Sequence, residues 1–285
     1  MQKRGKLFRK EFNQKTGRKS KRAQIAIFVI VALIIITALI AIFLIRSRIT
    51  PAPQTGILSA QVEQFRLFME GCVENVSYAG FERLGLQAGY YDFADSGLRS
   101  IDFAGEKVVV AEKLDSELIN RLPNQQQIEE QFKLYMLREG YAAIDGCTKD
   151  FAAFKGQFNI QQDKSRRQIT AQLREDDVII KTVWPLRISR GQQSIEINHK
   201  DIRLFIPLGK ILRVATDIVN KESAGIAFTG TQIDSYINTY PSRLRTLRLD
   251  AEHFPSHLQD IFFITTLPYR PREKAYRFYF AVDRS

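Results

Sequence analysis

The chain has 285 residues, a formal net charge of +11, two cysteines and three histidines. Residues 1–23 carry ten Lys and Arg against Glu11, a local charge of 10 − 1 = +9, which leaves 11 − 9 = +2 for everything after them. A basic face spread over a folded nucleic-acid-binding domain is therefore not expected, and two thiols with no histidine nearby do not build a four-ligand zinc sphere.

Residues Ile25 to Ile45 contain no charged side chain, and Thr37 is the only strongly polar one. At ~1.5 Å per helical residue this run is about 31 Å long, enough to cross the hydrocarbon core of a bilayer. Basic flanks stay on the cytoplasmic side, and Arg46 and Arg48 compete weakly with the ten before the run. The expected organisation is a cytoplasmic tail or leader over 1–23, a transmembrane helix over 24–46, a linker over 47–56 and an extracytoplasmic domain over 57–285. A secretory signal peptide fits poorly, because its apolar region is shorter, about 7–15 residues, and ends at a small-residue cleavage site. Here Arg46-Ser47-Arg48 follows instead, and Pro53 stands directly after Ala52.

The junction Lys21-Arg22-Ala23-Gln24-Ile25 resembles the class III leader of type IV pilin-like proteins, the archaeal ones in particular. In that family a basic residue and then Gly or Ala precede the cut, and an apolar helix follows it. The resemblance implies that Arg22 and Ala23 end the leader, that a leader peptidase cuts there, and that Gln24 becomes the mature N-terminus. Two features depart from the pattern: Phe28 occupies the fifth mature position, where many bacterial pilins carry Glu, and Pro51 and Pro53 interrupt a continuous spine helix. An uncleaved signal anchor with a basic tail is the open alternative. The arrangement as a whole is similar to that of uncharacterised archaeal single-pass membrane proteins.

Beyond the linker, Leu58, Val62, Phe65, Met69, Cys72 and Val76 recur at spacings of three and four and predict an amphipathic helix to about Leu84. Residues 107–114 read as a strand, and a sub-boundary of the outer domain is expected within 89–123. After Pro123 a second helical stripe runs through Ile128, Phe132, Tyr135, Met136, Ala143, Cys147 and Phe151, with Gly140 and Gly146 as points of bending. The period then changes. Residues 156–161, 168–174 and 178–188 read as strands, the last two joined through the acidic turn Glu175-Asp176-Asp177. Pro207 opens a helix with Leu208, Ile211, Leu212, Ala215, Ile218 and Val219 on one face. Residues 261–267 and 275–282 form a closing hairpin. Helices and antiparallel hairpins in separate blocks predict an α+β domain with two or three amphipathic helices.

Chemistry is sparsely signalled. Cys72 and Cys147 are two small hydrophobes on helical stripes or, in an oxidising compartment, a disulfide, and the bridge is favoured. Asn75-Val76-Ser77 is a glycosylation sequon on a helical stretch. His253 and His257 have the spacing of one helical turn, but Pro255 lies between them and no third ligand is adjacent, so no metal site is expected. Trp184, Phe262, Phe263, Tyr276, Phe278 and Tyr279 could line an aromatic platform, although core packing is the favoured account. No nucleophile motif, phosphate loop or cofactor fingerprint is present, so no catalytic residues, cofactor or nucleic-acid partner are expected. The leading expectation is a non-enzymatic, pilin-like structural or assembly subunit at the cell surface. Its partners are the lipid bilayer, copies of itself and a leader peptidase. A signal-anchored ligand-binding or sensory domain comes second, and an anchored hydrolase third.

Overall fold

The computed structural model describes residues 31–40, 55–93, 97–111, 113–114, 117–118, 120–224, 228, 230–239, 246–254, 259–268 and 274–283. It divides into two compact units, Met1–Ile57 and Leu58–Ser285. In the first, residues 31–40 are helical. Among the described residues no helix is long and apolar enough to cross a membrane. The expected span over 25–45 lies outside them except for those ten.

The second unit is an α+β fold. Helix α1, Thr55–Leu86, reaches into the end of the expected linker and is about 48 Å long at ~1.5 Å per residue. The buried side of α1 carries Val62, Phe65, Met69, Cys72 and Val73, followed by Phe81 and Leu84. It packs on α2, Gln125–Tyr135, whose N-terminus is closed by a capping box between Asn124 and Gln127. The helices come close at Gly80, where an added Cβ would overlap the Tyr135 ring. Phe81 stacks on Phe132 with ring centroids 4.6 Å apart.

The second stripe bends at Gly140, as its sequence predicts, but not at Gly146, which lies inside the helix that follows. Residues Met136–Gly140 form a π-helical turn between α2 and α3, Tyr141–Thr148. The wider turn shifts the buried face by one position. Gly140, Ile144 and Thr148 therefore face inward, whereas Ala143 and Cys147 are exposed.

Two sheets complete the fold. The larger has the order β1 (Ser100–Phe103), β2 (Glu106–Ala111), β11 (Arg277–Asp283), β10 (Gln259–Thr266) and β9 (Leu247–Phe254). All pairs are antiparallel except β11 with β2. The β1–β2 turn places Ala104 and Gly105 at φ 53° and 86°, the left-handed pair that a tight hairpin requires. Because β2 joins the C-terminal strands, the sub-boundary expected within 89–123 is not a division of this unit. Strands β3 (Lys113–Leu114) and β4 (Glu117–Leu118) form a separate short ladder.

In the second sheet, the central strand β7 (Val178–Arg190) pairs along its length with β8 (Gln193–Leu204). On its other edge lie β5 (Asn159–Gln162) and β6 (Gln168–Leu173), end to end. The β6–β7 hairpin turns through the acidic triplet, as its sequence predicts. A 3-10 turn, Lys164–Arg166, separates β5 from β6 opposite Trp184-Pro185. Pro185 has no N–H to donate there, and the β7–β8 register shifts by a bulge between Val183 and Leu186. Helix α4, Leu208–Ser223, packs on β11 with Leu208, Ile211, Leu212, Ala215, Ile218 and Val219 buried, and α5, Gly230–Thr239, packs on β9.

Candidate functional site

Arg22, Ala23 and Gln24, the expected leader-processing residues, lie outside the described residues. Cys72 of α1 and Cys147 of α3 are bonded, with Cα atoms 5.8 Å apart. Cys72 is buried and Cys147 exposed, so the bridge fastens the segment beyond the π turn to the long helix from the surface inward. Asn75 is exposed, but Ser77 of the same sequon is fully buried and its Oγ has no hydrogen-bond partner among the described residues. A modifying enzyme would reach this sequon only before α1 packs.

The chain leaves α3 through three consecutive non-glycine residues in the left-handed region: Lys149 (φ 46°), Asp150 (φ 50°) and Phe151 (φ 58°). Each costs about 1–2 kcal/mol for an L-residue, so the surroundings must hold the turn. The disulfide fixes its N-terminal side. Phe151 is 1% exposed and lies 4.7 Å from the Phe65 ring and 5.7 Å from the Trp184 ring. Asp150 accepts from Lys164 Nζ (2.9 Å) and Gln162 Nε2 (3.1 Å).

Beside this turn, Arg167 lies over both the Tyr141 and Trp184 rings, 4.6 and 4.8 Å from their centroids, and pairs with Asp145 at 2.7 Å. Planar stacking with a directed ion pair is the arrangement that suits a buried guanidinium. Lys164 bridges Asp145 (3.2 Å) and Asp150, so one cationic pair joins α3, the left-handed turn and the start of β6.

Two carboxylates at the helix layer are held below the usual carboxylate range. The Tyr91 hydroxyl (2.8 Å) does so for Glu139, helped by Arg83 (2.7 Å) against the opposing effect of burial. For Asp145 burial pushes upward, but Arg167 and Lys164 together outweigh it. A carboxyl whose folded pKa is depressed contributes stability above its unfolded pKa, about 4, and loses it as pH falls through the folded value. Wild-type protein should therefore be more stable to urea than Asp145→Asn at pH 7, and the gap should close as pH falls below the usual carboxylate range. A gap independent of pH would show that the ion pair is not its source.

The aromatic residues do not form one platform. Trp184 belongs to the second sheet, and Phe262, Phe278 and Phe280 are fully buried on one face of the first. Phe263 and Tyr279 lie on the other face, with Phe103 5.2 Å from Phe263. His253 Nδ1 lies 2.7 Å from Oδ1 of the buried Asp260, its cross-strand partner, a pairing that helical spacing could not indicate. His257 lies outside the described residues. Among the described residues no group of three or more His, Cys, Asp or Glu is placed to hold a metal.

An open cleft of about 710 Å³ sits where β5 gives way to β6. The 3-10 turn contributes Asp163, Ser165 and Arg166; β5 and β6 contribute Gln161, Gln162 and Gln168; and β7 and β8 contribute Pro185, Arg187 and Glu196. The polar residues among these do not stand out in the sequence, because the site is made by a break in a strand, and no motif encodes it. No protein-family model, curated protein or solved structure matches this chain.

Proposed function

We propose that this chain is a single-pass, membrane-anchored cell-surface protein with a cytoplasmic N-terminus, acting as a pilin-like structural or assembly subunit and not as an enzyme. The observation that carries the reading is the helix over 31–40. Val31, Leu33, Ile34, Ile35, Ile36, Leu39 and Ile40 are 48–61% exposed around it, and a helix apolar on every side calls for lipid or other apolar helices as its surroundings. The hydroxyl of Thr37 donates to the Leu33 and Ile34 carbonyls at 2.9 Å, so its one polar side chain is satisfied within the helix. The +9 tail supports the orientation. The Cys72–Cys147 bridge suits an oxidising exterior.

In this reading, cleavage between Ala23 and Gln24 removes the charged tail, and the freed apolar helices pack laterally against copies of themselves. The test is protease treatment of intact cells or spheroplasts, followed by intact mass of the membrane-extracted protein. The domain after Arg48 should be digested from outside, and the mature mass should correspond to a start at Gln24. Protection of the large domain would overturn the orientation. An exposed domain on a chain starting at Met1 would replace the pilin-like reading with a signal-anchored ligand-binding domain, the second reading, which the cleft beside β5 favours.

A further inference from the structure

We propose that the cleft between β5 and β6 binds a neutral, hydroxyl-rich ligand, a saccharide, at the outer face of the second sheet. The inference stands on the cleft alone and does not depend on how the N-terminus is processed. Its chemistry is balanced: Arg166 and Arg187 face Asp163 and Glu196, a formal sum of zero, so neither a polyanion nor a polycation is selected. Gln161 and Gln168 add amides that both donate and accept, which is what vicinal hydroxyl groups require of their partners. Arg187 and Glu196 are cross-strand neighbours, and neither has an ion-pair partner among the described residues. Guanidinium donors and carboxylate acceptors thus stand side by side on a rigid ladder.

The cleft wall is preorganised. The Asp163 carboxylate accepts from Ser165 N (3.1 Å), Ser165 Oγ (2.6 Å), Arg166 N (3.3 Å) and Arg166 Nε (2.7 Å), which fixes the 3-10 turn. The left-handed turn places Asp150 so that it takes the Gln162 amide N–H, leaving Gln162 Oε1 a buried acceptor without a hydrogen-bond partner. Strained backbone of this kind persists where the surroundings over-determine it, and ligand clamps are one such setting. A peptide is the weaker fit. Within the break β7 offers a peptide no ladder, because Pro185 has no N–H and its carbonyl already accepts from Asp163 N at 3.2 Å.

The experiment uses the full chain in lipid nanodiscs and saturation-transfer NMR with four neutral probes: maltohexaose, cellohexaose, mannohexaose and the hexamer of N-acetylglucosamine. A heparin hexasaccharide and a mixed-sequence decapeptide are the controls. At least one neutral probe should bind, and Gln168→Ala and Glu196→Ala should each weaken it about tenfold or more without moving the thermal melt. Asp250→Ala, on the other sheet, should not change it. Absence of binding by all four up to about 10 mM, equal binding by the cleft variants, or stronger binding of heparin or the peptide would each overturn the proposal.

Discussion

Replacing Cys72 by Ala and Cys147 by Ser should lower the stability of the unit over Leu58–Ser285 by about 4.5 kcal/mol, the chain-entropy value for a loop of 75 residues. At roughly 2–4 °C per kcal/mol for a domain of this size, the melting temperature should fall by about 10 °C. The two residues contribute unequally to packing: Cys72 is 3% exposed and its loss leaves a small void, whereas Cys147 is exposed and leaves none. Each single variant also leaves an unpaired thiol, so the double variant is the clean comparison. Hydrogen exchange should then show the largest loss of protection over α3 and the left-handed turn, since the bridge fastens them to α1 from outside the core. A melting temperature within about 2 °C of wild type would mean that the aromatic contacts alone hold α3 in place.

How legible the fold was depends on whether neighbouring residues carried the signal. The stripe of α4 and the β6–β7 hairpin are local patterns, and both stand where their spacing puts them. Strand β8 carries no such local pattern. Its inward residues are Ile195 and Ile197, then Ile202 and Leu204, and the change from odd to even positions across the bulge erases the alternation. Helix α5, with the sequence GTQIDSYINT, has too few apolar residues to announce itself, although Ile233 and Tyr236 are buried. Strand β9 does alternate, through Leu247 and Leu249, but the His253–His257 spacing at its end reads as one helical turn. Of the second stripe's residues beyond Gly140, Phe151 is buried as its spacing implies, whereas Ala143 and Cys147 are exposed, because spacing in sequence assumes 3.6 residues per turn and the π turn does not keep it. The cleft was illegible for a different reason: its residues are ordinary polar side chains until β5 and β6 are seen as one strand interrupted opposite Pro185.

Phe151→Ala should cost about 3–5 kcal/mol, the range for removing a fully buried aromatic ring. The mechanism is specific to this position. Alanine keeps a Cβ, so the strain of φ 58° stays while the contacts to Phe65 and Trp184 that sustain it disappear. Lys149→Gly is the counterpart. That residue is exposed at φ 46°, and glycine adopts the left-handed region freely. Lys to Gly within a right-handed helix costs roughly 1 kcal/mol; here relief of about 1–2 kcal/mol of left-handed strain opposes the greater entropy loss of glycine, so the variant should be neutral or slightly stabilising. Urea unfolding of the full chain in detergent would compare the three proteins. A large loss for Phe151→Ala with none for Lys149→Gly places the strain in the backbone and its support in the aromatic contacts. A Phe151→Ala loss below about 1 kcal/mol would show that the turn is held by something other than Phe151, and a Lys149→Gly loss as large as in an ordinary helix would show that Lys149 stores no strain.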